Sequence, residues 1–172
     1  MSDKLHIVPP SHPAFTKKIE QFEFDGSIDP KELTEKMVDM MQKAGAAGLA
    51  ANQLGLEHRV FVLNTKPDPI VCFNPRIIHY SEKYAVVEEG CLTFPGLFVK
   101  IRRPQWIRVR FQEVDGSMRT ETLNGLAARA FQHELDHLDG VNYLSKAKKI
   151  HLDQAKRKQK LIERKLKRMQ LA

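Results

Sequence analysis

Cysteine is nearly missing from this chain: there are two in 172 residues, Cys72 and Cys91, too few for a disulfide framework. No run of about 18 apolar residues occurs, so no membrane-spanning helix is expected. The opening Met1-Ser2-Asp3-Lys4-Leu5-His6 lacks the apolar stretch of a secretory signal and the long Arg- and Ser-rich lead of an organelle transit peptide. The expected location is therefore cytoplasmic, in a bacterium or a virus-infected host cell. Internal repeats and low-complexity linkers are absent as well. What remains is enough chain for one domain with a proper core.

Acidic residues are scarce at one end. Residues 146–172 hold 11 Lys/Arg against 2 Asp/Glu, whereas the preceding 145 residues hold 17 against 19. The overall charge of +7 thus belongs to the tail. Such a stretch is either a solvated helix face or a surface for RNA phosphates. No RNA-reading module accompanies it, so base-specific recognition is not expected.

Residues 1–26 read as irregular, with Pro9, Pro10 and Pro13 interrupting regular structure. A helix is predicted from Asp29 as N-cap, with Pro30 at its first position, Glu32 completing a capping box and Gly45 as its stop. Leu33, Met37, Met40, Met41 and Ala44 form its apolar face. A run of small residues, 46–53, lets a backbone or ligand approach closely. Strands are predicted over 59–64, 70–78, 85–88, 106–114 and 118–123, with Asp115-Gly116 as a hairpin turn. Cys72 reads as a small core thiol within the second of these. A helix follows over 124–138 and ends at Gly140. Residues 146–172 read as a second long helix with a thin apolar stripe of Leu161, Ile162, Leu166 and Met169. The pattern defines an α+β fold: antiparallel β-sheets packed around a central histidine-bearing helix, with an N-terminal helix and a long C-terminal helix. Residues 1–145 are expected to form the catalytic unit, and 146–172 a basic helix appended to it.

The central helix carries His133-Glu134-Leu135-Asp136-His137. On a helix the two imidazoles lie one turn apart on one face, where they can share a metal ion, with Glu134 beside them as general base. A catalytic metal takes three protein ligands and keeps one position for water. Downstream, His151 and Glu163 do not fit the extended zincin pattern. Upstream, Cys91 offers a thiolate, and Cys/His/His is a plausible catalytic set.

Three segments together resemble the peptide deformylase family: Gly48-Leu49-Ala50-Ala51-Asn52-Gln53, Glu89-Gly90-Cys91-Leu92, and Gln132 through Gly140. The resemblance covers roughly residues 5–145. It implies that Cys91, His133 and His137 hold one divalent metal ion. The resemblance implies ferrous iron in the cell, with zinc, nickel or cobalt able to replace it. It further implies that Glu134 is base and then acid, and that Gln53 and the Leu92 backbone N–H donate to the developing oxyanion. Ala47, Gly48, Gly90 and Arg129 would lie against the substrate, an N-formyl-methionyl nascent peptide cleaved to formate and a free amino terminus. Relatives are mostly monomeric, and in many bacterial ones a C-terminal helix docks on the ribosome. Glu89 and Arg103 resemble a charge pair that braces the metal-binding strand in relatives.

The chain departs from the family pattern in places. Ala46 and Ala47 stand where glycine and a branched apolar residue are usual, and Thr93 replaces a serine. Arg129 and Ala130 occupy positions that are usually apolar. These changes imply an altered preference for the first side chain of the substrate. Two rival readings remain: a zincin-type metallopeptidase, opposed by Cys91 and the missing downstream ligand, and an inactive metal-binding protein, opposed by the intact Glu134 and Gln53.

Overall fold

A computed structural model describes residues 5–170, the last three by backbone only. After a one-turn helix α1 (Pro13–Thr16) comes α2 (Pro30–Lys43). Asp29 caps α2, its carboxylate accepting from the N–H groups of Lys31 and Glu32 at 2.8 and 3.3 Å. Glu32 does not close a box; it pairs with Lys36 at 2.6 Å. Gly45 (φ 61°) ends the helix in the left-handed region, so Ala46 is spared that conformation. The prolines do not exclude helix from the N-terminal stretch: Pro13 opens α1, and the His12 imidazole accepts from Ala14 N–H.

The main sheet has the order β1-β2-β3-β6-β7, all antiparallel: β1 (Gly48–Ala50), β2 (Val60–Leu63), β3 (Ile70–Tyr80), β6 (Trp106–Gln112) and β7 (Met118–Asn124). A separate hairpin pairs β4 (Tyr84–Cys91) with β5 (Phe94–Pro104). Helix α3 (Gly125–Leu138) lies across the inner face of the sheet. There Phe131 meets Phe61 edge-on at 4.9 Å among Leu63, Cys72, Val109 and Phe111. Alternate residues of β2 and β3, Val60, Val62 and Phe73, face the other way, onto Leu33, Met37 and Met41 of α2.

Strand β5 is the element that the sequence pattern hides. Leu97, Val99, Ile101 and Arg103 alternate inward, but Pro95, Gly96, Pro104 and the cations between them mask the period. Its inner side packs on Tyr143 and on α4 (Lys149–Gln170) through Leu152 and Ala155. From Lys160 to Lys167 every residue of α4 is exposed. Leu161, Ile162 and Leu166 therefore cover nothing, and Met169 lies outside the described side chains.

Candidate active site

Three elements converge at one end of α3. His133 and His137 project from it with ring centroids 4.6 Å apart. Cys91 arrives from the end of β4, where a register shift between Glu89 and Cys91 turns the strand. Its Sγ lies 3.3 Å from His137 Nε2. The donor atoms of Cys91, His133 and His137 all lie within 4.8 Å of one another, near the span of two metal–ligand bonds of ~2.1–2.3 Å. This cluster can hold a metal ion.

The surroundings favour a cation there. His133 Nδ1 meets Glu89 Oε2 at 3.0 Å, which fixes the ring and leaves Nε2 for the site. Burial opposes charge on His133, yet the Cys91 sulfur and Glu89 carboxylate prevail and push its pKa up to about 10. Burial drives His137 well below the usual imidazole range, so it stays neutral with a lone pair to give. One sulfur and two imidazoles, with Glu89 behind one ring, are a donor set that suits a divalent ion.

Glu134 is fully enclosed. Burial pushes its carboxyl up to about 7, and its Oε2 has no protein partner. A carboxyl so poised can accept and return a proton near neutral pH. Its place depends on Gly48: a Cβ there would fall 2.7 Å from Glu134 Cγ and Oε1. A Cβ on Gly90 would likewise stand 2.6 Å from the Phe98 ring. Gln53 follows β1 in a short 3-10 turn (Ala51–Leu54). Its Oε1 accepts from Ala50 N–H at 2.9 Å, so Nε2 is aimed at the site, 3.4 Å from Cys91 Sγ and 3.3 Å from Thr93 Oγ1. Thr93 thus supplies the hydroxyl partner that a serine would.

A cleft of about 500 Å³ opens over these groups. Ala47, Gly48, Gln53, Gly90, Cys91, Leu92, Arg129, His133 and Glu134 all line it; His137 sits behind, against Phe15. The structure therefore brings Cys91, His133, His137, Glu134, Gln53, Leu92, Ala47, Gly48, Gly90 and Arg129 to one place. Arg129 faces inward at this wall and is buried. Its Nη1 donates to Glu89 Oε1 (2.6 Å) and the Ile101 carbonyl (3.1 Å), its Nη2 to the Ala85 carbonyl (2.9 Å). Arg103 grips Glu89 through two bonds of 2.6 and 2.9 Å, so the Glu89–Arg103 pair is present. Burial resists ionisation of Glu89, but His133 and Arg103 outweigh it and lower its pKa to about 2.

Sequence reasoning missed several supporting groups. Asp136 accepts from Arg103 at 2.8 Å and from Lys146 at 2.9 Å. Asn52 Nδ2 donates to the His137 carbonyl at 2.6 Å, tying α3 to the turn that carries Gln53. Leu126 and Phe98 line the cleft and are exposed. Leu126 was legible in principle, two turns before His133 on the same helix face.

An α+β domain with sulfur and imidazole donors around a buried carboxylate is the arrangement of a metal-dependent hydrolase. A family model described as polypeptide deformylase matches residues 4–153. A peptide deformylase of Thermotoga petrophila is 41% identical over 132 residues, 75% of this chain and 79% of that protein. Peptide deformylase 1B of Arabidopsis thaliana, chloroplastic/mitochondrial, is 35% identical over 94% of this chain and 60% of its own length. A plant peptide deformylase crystal structure superposes with a TM-score of 0.85 at 32% identity, covering 98% of this chain and 94% of that one. The chain belongs to the polypeptide deformylase family, metallohydrolases that remove the formyl group from an N-terminal methionine.

Proposed function

We propose that Cys91, His133 and His137 hold one divalent ion, ferrous iron in the cell, and that Glu134, Gln53 and Leu92 carry out deformylation around it. When bound, the ion supplies a Lewis acid that lowers the pKa of a water molecule toward neutrality. Glu134 accepts the proton of the attacking water as the oxygen adds to the formyl carbon. Gln53 Nε2 and the Leu92 backbone N–H donate to the formyl oxygen as it becomes negative. Glu134 then returns the proton to the amine nitrogen, the C–N bond breaks, and formate and a free amino terminus leave. The observation that carries this reading is the meeting of Cys91 from β4 with both α3 imidazoles beside a buried, unpartnered Glu134 oxygen.

The decisive assay is formate release from a formyl-Met peptide by anaerobically prepared protein, with metal analysis and Glu134→Ala alongside. Release by the parent and not by the variant supports the reading. Cleavage of an internal bond points to a peptidase, and no turnover with metal bound points to a binding protein.

Ala47, Gly48, Gly90 and Arg129 are proposed to bound the space for the first side chain of the substrate. The small side chains of Ala47 and Ala130 support a preference for methionine less steep than usual. Comparable hydrolysis of formyl-Met, formyl-Leu and formyl-Glu peptides is expected, and a steep methionine preference would overturn it.

Residues 1–145 act as the catalytic unit of a cytoplasmic monomer, with 146–172 as a basic arm that docks on the ribosome through phosphate contacts weakened by salt. No helix among the described residues is long and apolar enough to cross a membrane. Because Leu152 and Ala155 pack on β5, removing the whole arm would bare a core. Replacing Lys160, Arg164, Lys165 and Lys167 by glutamine is the cleaner test, and ribosome co-sedimentation at low salt should fall.

A further inference from the structure

Beyond α2 and the Phe22–Phe24 segment, which packs on Phe73, the outer face of the main sheet carries exposed side chains. Register places Arg76 opposite Arg110 and Thr120, and His79 opposite Arg108 and Thr122, with Trp106 opposite Asn124. Residues directly opposite share a face. Arg76, His79, Arg108, Thr120, Thr122 and Asn124 are all exposed. Three strands contribute to this face, and their sequences hold one carboxylate, Glu121. It stands opposite Val109 and borders the hollow lined by His79, Arg108 and Thr122, and Arg119 pairs with it at 2.7 Å. Arg110 donates to Thr120 Oγ1 at 3.3 Å, and among the described residues Arg76 and Arg108 have no ion-pair partner. Like charges directly opposite on a sheet destabilise it, so this grid is a cost to the fold that an anionic partner would relieve. It is not general basicity, since residues 1–145 hold more Asp/Glu than Lys/Arg.

We propose that this face of β3, β6 and β7 is a docking surface for single-stranded RNA. The arginines meet phosphates. At one end the His79 and Trp106 rings stack, 5.3 Å apart and 21° from parallel, and give a base a π-face to lie on. Thr120, Thr122 and Asn124 along the edge strand offer hydroxyl and amide partners to the 2′-hydroxyls that distinguish RNA from DNA. This surface is separate from α4, and the two would grip one RNA at different points.

Trp106 is the only tryptophan of the chain, so its emission reports this face and not α4. Titrating the full chain with a 12-nucleotide oligouridylate should quench Trp106 saturably, and added salt should reverse the quench. In Arg76→Gln/Arg108→Gln the midpoint should move about tenfold to weaker binding, with a salt slope lower by ~0.7 per lost contact. Arg108→Gln alone should give a smaller shift in the same direction. Formate release from a formyl-Met peptide should be unchanged in both variants and the melting temperature no lower, which reports an intact fold. The proposal is overturned if labelled RNA binds by anisotropy while Trp106 emission stays constant, or if neither variant moves the midpoint. It is equally overturned if oligodeoxyuridylate or phosphatidylglycerol vesicles quench Trp106 as well as RNA does.

Discussion

Glu89 spends both of its oxygens on cations and an imidazole: Arg103 and Arg129 on Oε1, Arg103 and His133 on Oε2. Removing its charge leaves two buried guanidiniums short of a counterion and a ligand ring without its orienting partner. Glu89→Gln should therefore weaken metal retention ~10–100-fold, read as faster transfer of the ion to a chelator. Glu134→Gln is a different case. It keeps the shape and should keep the metal content but removes the proposed proton carrier, and kcat should fall ~10²–10⁴-fold with KM little changed. Arg129 shows where sequence reasoning reached its limit. The residue was legible as an oddity one turn before His133, but its partners Ala85 and Ile101 lie on a hairpin far away in sequence. Only the fold shows that it fastens α3 to the strands that bring Cys91. Arg129→Met should cost about 1–3 kcal/mol, measured by urea unfolding, because two carbonyls lose their donor.

Elements differed in how plainly the sequence announced them. α2 carries a cap, a stop and an apolar period, α3 a stop and an apolar period, and their bounds agree with expectation. β1 was unreadable because Gly48-Leu49-Ala50 has no β-branched residue; it is a strand only because Phe61–Leu63 pairs with it. β5 was hidden by punctuation residues, although its inner side is a clean alternation. The consequence falls on α4, whose docking half needs β5 as its floor. Ala155 is buried at that contact. Ala155→Glu should free the helix: limited proteolysis would then cut within 149–167 at a protease level that leaves the parent intact, while formate release persists.

The whole molecule divides its labour by charge. The proposed chemistry sits in a body whose cations are outnumbered by its carboxylates, and the net positive charge belongs to residues 146–172. The proposed ligand set, base and oxyanion donors were nameable through the family resemblance that three motifs carry, because each motif lies within one helix, one strand end or one turn. What no motif carried was the convergence itself, which depends on a two-stranded hairpin being held against α3 by buried ion pairs.

Two walls of the cleft are made of absence. At Gly48 and at Gly90 there is no smaller residue to mutate toward, and any larger one strikes Glu134 or Phe98. An inhibitor that presses on the backbone at those points would meet a contour that heritable variation has no means to redraw, so escape would have to come from Ala47, Ala130 or the exposed Leu126 instead.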